Sequence, residues 1–232
     1  MNIGIILSGG VGSRMGSSTP KQYVYVNGQS VLNYCLTTFL HNKRIDSVVV
    51  TCAEEWKAFI AKSVIEIKID KPVYYAQAGE TRQYSIYNAL KVAKEHSSCN
   101  KDVVIIHDAA RPLVSDELIN RCLDACMTAD GVLPVVPVKD TIYVSEDGKS
   151  IKSLLDRNSL WNGQAPEAFN LEKYLKAHEE MSHEQILQIN GSTELGVKMG
   201  LNCTLVQGDP LNFKITTPED LINFKNILDN RK

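Results

Sequence analysis

The sequence predicts an α/β fold, a single domain of three layers with helices on both faces of a mostly parallel sheet. Three observations predict it. Short apolar, β-branched runs alternate with segments of helical spacing along most of the chain. The first run, Ile3 to Leu7, passes straight into a glycine-rich turn that opens toward a helix. Val103-Val104-Ile105-Ile106 is an unbroken apolar run between polar residues, as in a strand buried on both faces. At 232 residues the chain suits one domain with an elaboration, spanning 1–232 with a β-arm at about 139–158.

After the first strand, the spacing of Leu32, Cys35, Leu36, Phe39 and Leu40 predicts a helix over Val31 to Leu40, and Ser47 to Cys52 reads as a strand. Trp56 to Ile67 is helical in spacing and Val73 to Ala76 extended. Gly79 to Ser85 opens a helix that continues through Ile86, Leu90 and Ala93. Asp108 then falls at the carboxyl end of the Val103 strand. In open α/β sheets that edge takes ligands, so Asp108 shares a rim with the first glycine turn. Ser115-Asp116-Glu117 caps a helix from Leu118 to Met127.

Gly131 to Val138 carries two prolines, which suits an edge or irregular strand. Ile142 to Val144, a turn at Glu146 to Lys149, and Ile151 to Leu155 form a β-hairpin that leaves the parallel plan, an arm suited to dimer contacts. Leu171 to Glu180 is helical, Cys203 to Gly208 is a late strand, and Pro218 starts a final helix through Leu228.

Composition excludes some partners. Lys and Arg number 25 against 27 Asp and Glu, with no block of five like charges, so neither nucleic acid nor an anionic membrane is expected to be the partner. No apolar run approaches the roughly 18 residues of a membrane span, and the N-terminus lacks a basic n-region and cleavage site, so a cytoplasmic location is expected. Six cysteines are dispersed. Cys122 and Cys126, at i and i+4 without histidine neighbours, read as reduced core thiols rather than a metal site.

The glycine turn carries the functional signal. Ser8-Gly9-Gly10-Val11-Gly12-Ser13-Arg14 and then Pro20-Lys21 combine backbone N–H groups freed by glycine with two cations, as a triphosphate requires. Met15 stands where a dinucleotide fingerprint needs its third glycine, and no Gly-Lys-Ser/Thr marks a P-loop. What remains, G-G-x-G-x-R-M-x(4)-P-K, resembles the activating loop of sugar-nucleotide pyrophosphorylases.

Further motifs agree: Pro20-Lys21-Gln22-Tyr23, Gly79 to Ser85, His107-Asp108-Ala109-Ala110-Arg111-Pro112, Val138 to Thr141, Asp156 to Trp161 and Asn212 to Thr216. Together they resemble the bacterial CTP-dependent cytidylyltransferases of the 2-C-methyl-D-erythritol 4-phosphate type and their relatives acting on ribitol 5-phosphate. The resemblance spans almost the whole chain. It implies a Rossmann-like nucleotidyltransferase domain in which a polyol phosphate attacks the α-phosphorus of CTP and pyrophosphate leaves, with Mg2+ bridging phosphate oxygens.

Carried over by motif, Arg14, Lys21 and Lys214 are the catalytic cations. Ser8, Gly9, Gly10, Gly12, Gly79, Glu80 and Ser85 bind the nucleotide, Glu80 standing where the family has aspartate. Asp108, Arg111, Thr141 and Arg157 hold the acceptor, with Asp108 also the candidate metal ligand. Thr141 and Arg157 would reach it from a second subunit, implying a homodimer with shared sites. Arg82 is equally compatible with an exposed helix start, and His107 reads as a packed residue rather than a base, since the attacking phosphate is already an anion.

Two departures bear on the acceptor. Gln164-Ala165-Pro166 lacks the family's threonine hydroxyl, and Asn190-Gly191-Ser192-Thr193 lacks a carboxylate and a threonine. The nominal acceptor is methylerythritol phosphate. The alternatives are ribitol 5-phosphate or another alditol phosphate used for surface polymers, a nucleotidyltransferase using another NTP, and a catalytically silent nucleotide-binding module.

Overall fold

A computed structural model describes residues 1–10 and 19–231. Among these, the sheet is built from β1 (Asn2–Leu7), β4 (Ser47–Cys52), β5 (Val73–Gln77), β6 (Val103–Asp108), β7 (Gly131–Pro137), β10 (Trp161–Gly163), β11 (Glu167–Asn170) and β12 (Cys203–Gln207). Two small hairpins stand apart, β2 (Tyr25–Val26) with β3 (Gln29–Ser30) and β8 (Tyr143–Val144) with β9 (Ser153–Leu154). The helices are α1 (Val31–His41), α2 (Glu54–Ile67), α3 (Arg82–Glu95), α4 (Asp116–Ala125), α5 (Leu171–Glu179), α6 (His183–Leu187), α7 (Ser192–Lys198) and α8 (Pro218–Asp229).

Strands β5, β4, β1 and β6 lie side by side and parallel; β11 runs antiparallel between β6 and β7, and β12 runs parallel along the far edge of β7. The predicted mostly parallel α/β sheet is therefore present. Strand alternation divides its side chains between two cores. Ile6, Val48, Val50 and Ile105 pack under α1, α2 and α4, whereas Ile3, Ile5, Val49, Val104 and Ile106 pack under α3 and α5. These are the three layers. All six cysteines are free, and burial pushes the Cys122 and Cys126 thiols up to about 12.

The strand Gly131–Pro137 departs from the sequence expectation, because it is paired on both edges. It has β12 on one side and β10 then β11 on the other. The prolines are accommodated by phase. Gln164 N donates to Pro134 O at 2.8 Å and Gly208 N to Val135 O at 2.8 Å, so successive residues face opposite neighbours. The N–H that Pro134 lacks would point at Gln164–Pro166, where the ladder between β10 and β11 is broken.

Two further elements were not read from the sequence. The β2–β3 hairpin turns at Asn27 (φ 49°) and Gly28 (φ 82°), the left-handed pair that an Asn-Gly turn supplies. Trp161–Gly163 and Glu167–Asn170 form strands β10 and β11. The arm hairpin is present, but its ladder is limited to two pairs, Tyr143 with Leu154 and Val144 with Ser153.

Candidate active site

Strand β1 lies between β4 and β6, and the chain leaves β1 toward β4 but returns to β6 on its other side. That reversal opens a crevice at the carboxyl ends of β1 and β6, where Leu7 pairs with Asp108. The start of the glycine loop sits on it. Ser8 N donates to Thr51 O (3.0 Å), Ser8 Oγ to Tyr23 OH (2.8 Å), and Tyr23 OH to Ser8 O (3.0 Å). Gln22 Nε2 donates to both Ser8 O and Gly10 O, each at 2.7 Å. Lys21 opens the 3-10 turn Lys21–Tyr23 and is thereby tied to the loop through the next two residues. Tyr23 stacks on Trp56 with centroids 4.0 Å apart, fixing the clamp from behind. Gly12 and Arg14 lie outside the described residues.

The second segment is Gly79 to Ser85. Thr81 caps α3, accepting from Tyr84 N, while Gly79 N donates to Ser85 Oγ (3.0 Å) and Ser85 Oγ to Thr81 O (3.0 Å). A Cβ on Gly9 would stand 2.4 Å from Ala78 Cβ, so the two loops touch and only glycine fits between them. Glu80 is exposed, 3.3 Å from His183 Nε2.

Asp108 holds the third group together. Arg82 Nε donates to its Oδ1 at 3.1 Å, Lys214 Nζ to its Oδ2 at 2.9 Å, and Arg111 Nε stands 3.7 Å from Oδ2. Burial alone would raise this carboxyl; Arg82, Lys214 and Arg111 instead hold it well below the usual carboxylate range. Lys214 is aimed by the backbone, because Ile215 N donates to Ala110 O (2.8 Å) and the Ile215 side chain is fully buried. Arg111 Nη1 donates to Asn212 O at 2.7 Å. Lys214, distant in sequence, thus converges on Asp108 and Arg111.

Arg82 is no exposed helix start. Besides Asp108 it reaches Ser192 Oγ (2.6 Å) and Glu167 Oε1 (3.3 Å). Glu167 opens β11, which runs against β6 and so starts at the same rim. Sequence reasoning missed Glu167, and its only local signal was its place directly after Gln164-Ala165-Pro166. Ser192 and Thr193, where the sequence suggested a lost carboxylate, both bond to Glu167.

Among the described residues the protein does not by itself build a full cage for a metal ion. Both Asp108 oxygens already accept from cations, and among the described residues no cluster of three or more His, Cys, Asp or Glu could hold one. His107 is fully buried, its Nε2 2.9 Å from Arg111 O, and burial pushes its imidazole down to about 4, as suits a packed residue. Thr141 and Arg157 are not brought to Asp108 within the chain. Both are exposed on the arm, where Arg157 Nη1 donates to Lys139 O (3.2 Å).

Residues 3–230 match the family model described as 2-C-methyl-D-erythritol 4-phosphate cytidylyltransferase, IspD. A ribitol-5-phosphate cytidylyltransferase of Vibrio parahaemolyticus is 36% identical over 233 residues, covering 100% of this chain and 98% of that protein. A 2-C-methyl-D-erythritol 4-phosphate cytidylyltransferase of Caldanaerobacter subterraneus is 37% identical over 224 residues, 96% of each. A crystal structure of 4-diphosphocytidyl-2C-methyl-D-erythritol synthase superposes with a TM-score of 0.81 at 27% identity, covering 98% of both chains. The Francisella tularensis 2-C-methyl-D-erythritol 4-phosphate cytidylyltransferase gives 0.79 at 28%, covering 97% of this chain and 99% of that one. With its fold and nearly its full length in agreement, the chain belongs to the 2-C-methyl-D-erythritol 4-phosphate cytidylyltransferase family and is a nucleotidyltransferase that moves a cytidylyl group.

Proposed function

We propose that the enzyme transfers CMP from CTP to an alditol 5-phosphate, ribitol 5-phosphate first among them, releasing pyrophosphate. The observation that carries the transfer is the Asp108 carboxylate with Arg82, Arg111 and Lys214 around it, beside a glycine loop at the crevice of the sheet. An acceptor phosphate oxygen forms the new bond to the α-phosphorus as the bond to the bridging oxygen of pyrophosphate breaks. No proton has to be removed from the nucleophile, in keeping with a buried, neutral His107. What the reaction requires is charge and alignment.

Lys214 and Arg111 would hold the acceptor phosphate, with Asp108 orienting them and accepting from a hydroxyl. Lys21 and Arg14 serve the triphosphate, the Ser8 to Gly12 backbone its oxygens, and Gly79, Glu80 and Ser85 the base. A divalent cation would be held by phosphate oxygens of the nucleotide, supplying charge neutralisation there. Thr141 and Arg157 act from the arm of a second subunit in a homodimer.

The alditol reading is supported by Ala165, buried where the family's threonine hydroxyl is absent, and by relatives from Vibrio and Streptococcus agalactiae named ribitol-5-phosphate cytidylyltransferases that cover 100% of this chain. The methylerythritol reading is favoured by the Caldanaerobacter relative and the solved structures. Pyrophosphate release with CTP and Mg2+ separates them. Higher kcat/KM for ribitol 5-phosphate is expected, preference for methylerythritol phosphate would establish the second reading, and no release with either would overturn both.

A further inference from the structure

Glu167 is a buried carboxylate that the transfer reaction does not itself require. Its side chain is 7% exposed and comes from the first residue of β11. Ser192 Oγ donates to Oε1 at 2.7 Å; Thr193 N and Thr193 Oγ1 donate to Oε2 at 2.9 and 2.6 Å. Arg82 Nη2 stands 3.3 Å from Oε1. Four donors from two elements therefore converge on one carboxylate, which is bound as an acceptor on both oxygens.

The donors' other bonds show what this does. Arg82 spends its three nitrogens on three partners, Nε on Asp108, Nη1 on Ser192 Oγ and Nη2 on Glu167, so it is a fixed strut rather than a free cation. Ser192 Oγ gives its proton to Glu167 and accepts from Arg82. Thr193 Oγ1 also gives its proton to Glu167, which leaves it only lone pairs to offer a ligand. Through Arg82 this wall is joined to Asp108, whose oxygens also only accept.

We infer that Glu167 is a positioning residue for the acceptor: it fixes Arg82 against Asp108 and turns Thr193 into a hydrogen-bond acceptor, so that this side of the pocket selects a ligand presenting hydroxyl donors. The inference rests on the cytidylyltransferase reading of the site and adds an orientation to it. The polyol end of the acceptor lies toward Thr193 and Glu167, and the phosphate end toward Lys214 and Arg111. An anionic group is repelled from the Glu167 side, which enforces that direction. It also explains how the segment Asn190 to Thr193 dispenses with a carboxylate of its own, since β11 supplies one.

Glu167→Gln tests this, because glutamine keeps one acceptor oxygen but presents an N–H donor in place of the other and removes the charge beside Arg82. Wild type and variant are assayed for pyrophosphate release with ribitol 5-phosphate and with its deoxy analogues lacking single hydroxyls, KM and kcat being separated for acceptor and for CTP, with melting curves in parallel. The expected result is a rise of about tenfold or more in acceptor KM with ribitol 5-phosphate, a CTP KM within about twofold, and a loss that vanishes for the deoxy analogue lacking the hydroxyl that faces Thr193. Glu167→Asp, which restores the charge, is expected to recover part of the acceptor KM. An equal loss for CTP and every acceptor together with a lowered melting temperature, or unchanged kinetics, would overturn the inference while leaving the transfer reading intact. Failure of the wild-type enzyme to turn over any polyol phosphate would overturn both.

Discussion

Lys214 Nζ stands 2.9 Å from Asp108 Oδ2, joining the segment before the last helix to the end of a strand 106 residues earlier. Asp108 also meets Arg82 and Arg111, so one carboxylate faces three cations. Asp108→Asn is expected to cost about 3 kcal/mol of stability, because it leaves the buried Arg111 without its carboxylate and Arg82 with Glu167 alone. Lys214→Ala, whose side chain is 35% exposed, is expected to leave stability nearly unchanged while lowering kcat/KM about 100-fold, equivalent to about 2.7 kcal/mol of transition-state stabilisation. Chemical denaturation and pyrophosphate release measured on both variants check the contrast; equal effects on stability would refute it.

The glycine loop offers a second contrast. Gly9→Ala places a methyl 2.4 Å from Ala78 Cβ, whereas a Cβ on Gly10 meets nothing within 4 Å among the described residues. Gly9→Ala is expected to lower the melting temperature and raise the CTP KM. Gly10→Ala is expected to raise the CTP KM about tenfold without loss of stability, since the methyl would oppose only an approaching phosphate. An unaffected CTP KM in Gly10→Ala would remove that residue from the nucleotide site.

Subunit exchange tests the arm. If Arg157 serves the partner's site, mixing inactive Arg157→Ala with inactive Lys214→Ala protein is expected to restore activity, because a mixed dimer holds one site built from two intact halves. A mixture as inactive as its components would mean that one chain supplies both residues to its own site.

Two buried histidines predict the acid limb of stability. Burial pushes His107 and His178 from 6.5 down to about 4, and His178 is held neutral between Tyr174 O and Gln83 Nε2. The unfolded chain takes up these protons near 6.5 and the folded chain only near 4. The stability conferred by the neutral rings is therefore complete above 6.5 and is lost as the pH falls toward 4. The slope is up to about 1.4 kcal/mol per pH unit for each histidine. Urea midpoints at pH 7 and pH 5 measure it, and His178→Gln is expected to flatten it by about half. A midpoint independent of pH over that interval would refute the account.

Much of the molecule was legible before any coordinates. The first strand, the central Val103 strand, the arm hairpin and the helices at Val31, Leu118 and Leu171 follow from local rules. Apolar period, capping residues and glycine each act within a few residues. The prolines of Gly131–Pro137 argue against a central strand unless the facing neighbour is itself interrupted. That interruption, at Gln164–Pro166, comes some thirty residues later. The Asn27-Gly28 hairpin is legible from its turn dipeptide alone.

The sequence by itself determined the α/β alternation, the rim on which Asp108 and the glycine loop meet, and membership of a cytidylyltransferase family. The tertiary structure alone decided which charges pair. Arg82 became a strut, Glu167 the carboxylate of the Ser192 and Thr193 wall, and Lys214 the partner of Asp108. The physical reason is that an ion pair depends on distance, not on neighbourhood in the chain. A sheet that sets β11 against β6, and seats Ile215 beside Ala110, brings together groups between which the sequence holds no periodic signal.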